Sequence, residues 1–182
     1  MKKLLKTIVV LVAAISLVFV GGGYLVMPSE ANVERHVVIA APVHTVFTVA
    51  GNLRRFNEWS PWAATDPKAQ FTYEGPETGT GQKMSWKSDD PKVGTGSQTI
   101  VKWEQDSKLE TELDFGSMGK AKSYLKLVPV EGGTSVTWGF NAPLNGLLAR
   151  WSALFYDSAV GADYVAGLIK LKAVAEKIDS ST

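Results

Sequence analysis

Residues 108–128, KLETELDFGSMGKAKSYLKLV, alternate in character. Leu109, Leu113 and Phe115 fall on one side, against Glu110, Glu112 and Asp114 on the other. In the second half Ala121, Ser123, Leu125 and Leu127 oppose Lys120, Lys122, Tyr124 and Lys126. Successive side chains of a strand point to opposite faces, so each half reads as a strand with one dry face and one wet face. The GSMG break between them is short enough to join antiparallel neighbours. The acidic face of one strand then lies beside the lysine face of the next, on the outside. Such cross-strand pairs contribute only a fraction of a kcal/mol each, yet they fix which face is wet.

The period of two holds on both sides of this stretch. Strands are predicted at 69–74, 82–88, 96–104, 108–115, 120–129 and 134–141. Gly-, Pro- and Asp-rich breaks separate them, among them GPETGTG, DDPKVGTG and VEGG. Six consecutive strands with short connections make an antiparallel meander. The inner face is expected to carry Met84, Trp86, Thr99, Val101, Trp103, Leu109, Leu113, Phe115, Leu125, Leu127, Val136, Trp138 and Phe140. A further strand is predicted at 33–39. A short helix follows, with Pro42 in its first turn, where a missing N–H costs little. Asn52 is a good cap for a second helix over 53–59, which Ser60-Pro61 ends. The C-terminal 145–178 is helical, but its apolar stripe changes side. Leu147, Leu148, Trp151, Leu154 and Phe155 cluster on one arc; Val160, Tyr164, Leu168, Leu171, Val174, Ala175 and Ile178 cluster roughly opposite. One straight helix cannot bury both arcs against one sheet, so a bend is expected near 157–161, between helices over 145–156 and 162–178. The fold class is α+β, a curved seven-stranded antiparallel sheet around the C-terminal helical segment.

The N-terminus is of another kind. Residues 8–26, IVVLVAAISLVFVGGGYLV, run without a charge after Lys2, Lys3 and Lys6. About 20 apolar residues cross a bilayer as a helix. A secretory signal has a shorter apolar run and a small-x-small cleavage site, and no A-x-A site follows here. The reading is a retained membrane anchor over 1–27, in preference to a cleaved signal or a buried helix. A linker over 28–32, a domain over 33–178 and a tail over 179–182 complete the expected organisation. The positive-inside tendency puts the N-terminus in the cytoplasm and the domain outside a bacterial-type cell membrane.

Composition narrows the function. Basic residues number 19 and acidic ones 18, and three of the basic ones precede the anchor, so the remainder is slightly acidic. No basic stripe supports nucleic-acid binding. With no cysteine there are no disulfides, thiol nucleophiles or cysteine-based zinc sites. His36 and His44 lack a second pair that would make a metal site. The G-T-G triplets at 79–81 and 94–96 precede strands, whereas a phosphate loop precedes a helix, so they read as turns. No serine lies in a G-x-S-x-G elbow. Glu110, Glu112 and Asp114 are spaced as a solvated ladder. Asp157 and Asp163 flank the expected bend, as caps or as groups facing a cavity mouth. No cofactor is implied.

Four segments carry a resemblance: RHVVIAAPVHTVF at 35–47, NLRRFNEWSPW at 52–62, FTYEGPETGTG at 71–81 and GADYVAGLIKLKAVAE at 161–176. The chain after residue 32 resembles the SRPBCC superfamily, also called START-like or Bet v 1-like, in its polyketide cyclase/dehydrase-like bacterial branch. The resemblance implies a helix-grip fold with a hydrophobic cavity between sheet and helix. It also implies that Trp59 and Trp62 close one end of the grip, with a membrane contact as the other reading of the pair. The expected ligand wall is Trp86, Val101, Trp103, Phe115, Leu125, Trp138, Phe140, Phe155, Tyr164 and Leu168. Thr99, Ser123, Thr137, Tyr164 and Gln98 are the polar groups available to orient a ligand. Ser158, Gly161, Ala162, Ala166 and Gly167 would leave room beside the sheet. The expected function is membrane-tethered binding of an apolar small molecule or lipid, without covalent chemistry. The alternatives are a cyclase or dehydratase acting on a polyketide-like substrate, for which Tyr164, Asp157 and Asp163 are the available acids and bases, and an envelope interaction module with no cavity. Oligomeric state is left open.

Overall fold

Every segment with a two-residue period is a strand in the computed structural model, which describes residues 2–181. The strands are β1 (Glu30–Ile39), β2 (Gln70–Glu74), β3 (Lys83–Lys87), β4 (Thr95–Glu104), β5 (Lys108–Asp114), β6 (Lys120–Val130) and β7 (Gly133–Pro143). They form one seven-stranded antiparallel sheet in the order β1-β7-β6-β5-β4-β3-β2. The meander β2 to β7 is sequential, and β1 closes on β7 from Glu30 opposite Pro143 to Ile39 opposite Thr134. The outer ladder is as expected. Glu112 faces Lys122 and Asp114 faces Lys120, with Lys120 Nζ 3.4 Å from Asp114 Oδ2. The amide of Gly116 and then Lys120 hold the Asp114 carboxyl below its ordinary range. Strand β1 starts within the segment expected as a linker, and Ala31 and Val33 are already buried.

One strand breaks its alternation. A bulge between Ile100 and Lys102 in β4 shifts the pairing with β5 by a residue. Gln98 and Ile100 therefore face inward, and Trp103 returns to the inner side beyond the bulge, against Phe47. Thr99 stands opposite Glu112, and Val101 is 44% exposed. The expectation that Thr99 and Val101 face inward is corrected on this ground: an extra residue inverts the parity of its neighbours.

Helix α1 spans Lys2–Leu25 and α2 spans Val43–Ala50, directly after Pro42. The segment expected as a second helix is a 3-10 turn, Leu53–Glu58, and the expected cap is present: Asn52 Oδ1 accepts from the Arg54 amide at 2.9 Å. The eight residues between that cap and Pro61 hold a 3-10 turn of six, the tighter form that is used in short pieces. What holds this turn in place is a residue with no signature in the sequence. Gln82, fully buried, accepts from the Leu53 amide through Oε1 (2.8 Å) and donates through Nε2 to Asn52 Oδ1 and the Glu77 carbonyl (2.9 and 2.6 Å).

Helix α3, Leu147–Asp179, is a single unbroken rod of 33 residues, so the expected bend is absent. The two apolar arcs have different partners at different heights. The later arc covers the sheet through Tyr164, Leu168, Leu171 and Ala175, all buried. The earlier arc meets α1: the Trp151 ring stacks on Phe19 with centroids 5.5 Å apart. Gly161 and Gly167, expected to leave room beside the sheet, are close approaches instead. A Cβ on Gly161 would come within 2.1 Å of Arg35 Nη2, and one on Gly167 within 2.7 Å of the Trp138 ring. The small residues thus receive Arg35 and Trp138 rather than leaving space. Polar bonds fix the rest of the rod to β1. Arg35 Nη2 pairs with Asp157 Oδ1 at 2.8 Å, Lys172 Nζ donates to the Val38 carbonyl at 3.0 Å, and the Ala40 amide donates to Glu176 Oε1 at 2.8 Å.

Candidate functional site

The inner surface is not uniform along its length. At the end of the sheet holding Ile39, Leu109, Leu127 and Val136, helix α2 and the far turns of α3 fill the grip. Toward the other end, between the sheet and the middle of α3, lies a cavity of about 360 Å³. Helix α3 presents Tyr156, Val160, Asp163 and Tyr164 to it, a spacing that puts all four on one helix face. The sheet supplies Trp86, Leu113, Trp138 and Phe140, the position just after β5 supplies Phe115, and the segment after α2 supplies Phe56 and Trp62. Met118 and the loop residues Lys92 and Val93 stand at its rim.

Several polar groups in this wall are connected, while Asn57, Ser60 and Lys92 stand apart from them. Gln98 Nε2 donates to Thr111 Oγ1 at 3.0 Å, and Trp138 Nε1 donates to Ser123 Oγ at 3.0 Å. Ser123 Oγ is also 3.4 Å from the Tyr164 hydroxyl, whose ring stacks on Trp138 at a centroid distance of 3.7 Å. Burial, against a smaller opposing effect of the Ser123 bond, pushes the Tyr164 phenol well above its ordinary value. It is therefore a neutral hydrogen-bonding group at physiological pH. Trp62 Nε1 donates to Asp163 Oδ2 at 3.1 Å, and its ring edges on both Trp138 and Tyr164. The two tryptophans of NEWSPW thus divide the work. Trp59, 1% exposed, packs edge-on against Phe56 and Trp138 and is a plug. Trp62 is a panel of the cavity wall.

Of the expected wall residues, Trp86, Phe115, Trp138, Phe140 and Tyr164 line the cavity. Leu125 and Leu168 are buried, and Trp103 packs against the same core, in the filled part of the grip. Val101 and Phe155 are corrected: both are exposed, Val101 by the bulge and Phe155 because it lies on the side of α3 opposite Tyr164, while its neighbour Tyr156 stacks on Phe140. Of the polar candidates, Gln98, Ser123 and Tyr164 reach the wall, while Thr99 and Thr137 lie on strand positions of opposite parity to the buried ones. Asp163 caps nothing, since the helix runs through it, and Asp157 is engaged by Arg35. Among the described residues there is no cluster of three His, Cys, Asp or Glu side chains placed to hold a metal. Sequence reasoning missed Met84, Phe56 and Phe71 as wall residues. Phe71 was legible from the alternation of β2, which pairs it with Trp86.

A curved antiparallel sheet gripping a C-terminal helix around an apolar cavity is the helix-grip, Bet v 1-like fold. The chain belongs to the polyketide cyclase/dehydrase and lipid transport family, whose model matches residues 30–176. Solved structures agree in fold. A Thermobifida fusca protein superposes with a TM-score of 0.63 at 17% identity, covering 81% of this chain and 95% of its own. The di-domain ARO/CYC StfQ from the steffimycin biosynthetic pathway gives 0.61 at 15% identity, over 81% of this chain and 52% of its own. Ara h 8.0201 gives 0.55 at 13% identity, over 80% and 97%. No curated protein matches the chain in sequence.

Proposed function

We propose that this protein binds an apolar small molecule or lipid in the cavity, tethered to a membrane through α1, and does no covalent chemistry on it. The observation that carries the reading is the composition of the wall: aromatic and aliphatic side chains around a short, already hydrogen-bonded polar chain. Cavities of about 300–1,000 Å³ with that balance suit apolar ligands, and the family's own description includes lipid transport. A cavity of this kind also disfavours the reading as an interaction module with a filled interior. Helix α1 is long and apolar enough to cross a membrane; its 24 residues span about 36 Å. On this reading residues 8–26 cross a bacterial-type cell membrane once, Lys2, Lys3 and Lys6 stay in the cytoplasm, and the domain lies outside. The test is native mass spectrometry of the full chain extracted gently from its host membrane, with thermal shifts against a lipid panel. A discrete bound mass and a stabilising lipid are expected. Bare protein that no lipid stabilises would refute the reading.

The alternative of cyclase or dehydratase chemistry needs a positioned acid or base. The carboxylate in the wall is Asp163, and its Oδ2 accepts the Trp62 indole N–H. Asp163→Asn tests it: retained ligand binding with loss of product formation would establish chemistry, and unchanged behaviour would exclude Asp163 as its agent.

A further inference from the structure

The first ten residues of α3, LLARWSALFY at 147–156, carry one charge, Arg150, and no acid. The last of them, Tyr156, stacks on Phe140, but much of the apolar side-chain surface before it is exposed: Leu148 by 76%, Leu154 by 60% and Phe155 by 69%. At 100° per residue these three flank Leu147 and Trp151 on one arc. The middle of that arc is packed on the outer end of α1. A Cβ on Gly23 would fall 2.2 Å from Leu147 Cδ1, and one on Gly22 3.1 Å from the Trp151 ring. Trp151 Nε1 donates to the Phe19 carbonyl at 3.1 Å, Arg150 Nη1 donates to the Tyr24 carbonyl at 3.2 Å, and the Arg150 guanidinium lies over the Tyr24 ring. The exposed arc is therefore continuous with the apolar surface of α1, whose residues are exposed along nearly its whole length.

The sheet register adds a second observation. Glu30, five residues after the end of α1, lies opposite Pro143, and the ladder carries this edge across through Asp114 opposite Lys120. The loop holding Met118, 73% exposed, joins β5 to β6 at this same end. Lys92 and Val93, also on the cavity rim, lie in the loop between β3 and β4 at this end. The cavity rim and the exposed arc therefore share the α1 end of the domain.

We infer that residues 147–155 form an interfacial foot, with Leu148, Leu154 and Phe155 seated in the outer lipid leaflet so that the cavity rim faces the bilayer surface. The inference rests on α1 spanning the membrane. Its occupant is lipid rather than a second protein, because the arc is continuous with α1 and carries Trp151, Tyr24 and Arg150 where the two meet. Aromatic and basic side chains of that kind favour the membrane–water boundary.

The chain has no cysteine, so single thiols can be placed without interference. Leu148→Cys, Phe155→Cys, Ala14→Cys and Glu131→Cys are each labelled with a fluorophore in the full chain, reconstituted in 4:1 phosphatidylcholine–phosphatidylglycerol vesicles. Quenching is read with lipid nitroxides placed shallow or deep. Residue 14 should be quenched by the deep probe, 148 and 155 severalfold more by the shallow probe than by the deep one, and 131, in the turn at the opposite end of the sheet, by neither. Quenching at 14 with none at 148 or 155 overturns the foot and leaves the anchor standing. No quenching at 14 removes the anchor and the foot with it. Thiol cross-linking between copies at 155, in place of lipid quenching, shows a self-association face and overturns the inference.

Discussion

The two ends of the grip are built from the same alternating pattern and do opposite things. At the filled end Ile39, Val46, Val49, Val136 and Leu171 are wholly buried. At the cavity end Trp86, Phe115, Phe140, Tyr156 and Val160 are only partly covered. Nothing in the alternation distinguishes Val136 from Phe140, four residues along one strand. The difference comes from what lies across from them: α2 and the tight α3 contact at one end, and a more open span of the same helix at the other. Packing and binding are thus two uses of one surface, separated by the elements that cover it.

The contrast can be broken or sharpened by substitution. Leu171→Ala at the filled end removes a wholly buried side chain, and a loss of about 2–5 kcal/mol is expected in denaturant unfolding. Gly167→Ala drives a methyl into the Trp138 ring, and about 1–3 kcal/mol of overpacking cost is expected in the same measurement. Gln82→Ala strands the Leu53 amide and the Glu77 carbonyl, for a loss of about 1–3 kcal/mol with weakened ligand retention, since the turn carrying Phe56 is released. Phe115→Ala at the open end should cost under about 1 kcal/mol, as for other half-exposed positions, while changing ligand retention more than any filled-end substitution of equal stability cost. If it destabilised as much as Leu171→Ala, the division between the two ends would be wrong.

A pH series sharpens it further. Tyr164 inside and Tyr124 outside both have phenols held above the ordinary value of 10.0. Burial is the cause for Tyr164. For Tyr124 the first cause is its hydrogen bond to the Glu34 carboxylate, and the phenol is pushed up to about 12. An unfolded chain releases these protons at lower pH than the folded one, so their contribution is whole below pH 10.0 and declines as pH rises. For Tyr124 the decline is complete near pH 12. Tyr164→Phe and Tyr124→Phe should each flatten part of this alkaline loss in thermal unfolding, and only the first should alter ligand retention.

The sequence made the sheet legible because burial of one face imposes a period of two on seven separate segments. It did not reveal the bulge at Ile100–Lys102, because an extra residue leaves no mark in composition, and so Val101 and Thr99 were placed on the wrong face. Helix α3 was divided for a sound reason, two arcs and one sheet, but the second partner was the N-terminal helix. Half of the residues expected in the wall line the cavity, because aromatic side chains turned inward are large enough to reach it. Phe155 was not, since periodicity says which face a residue is on and not whether anything lies opposite. Gln82 carried no signal at all: a single polar residue beside a glycine turn shows its role only when its three partners are assembled around it.

The bonds from α3 to β1 have one more consequence. Strand β1 is an edge of the sheet, and edge strands invite other strands to add to them. Lys172 occupies the Val38 carbonyl and Glu176 the Ala40 amide, so an incoming strand finds these main-chain positions already taken. The opposite edge, β2, is only five residues long, and Pro76 follows two residues after its end. The Ile39 end of one edge is thus blocked by α3, and the other edge is too short to offer a long template, which limits polymerisation through the sheet.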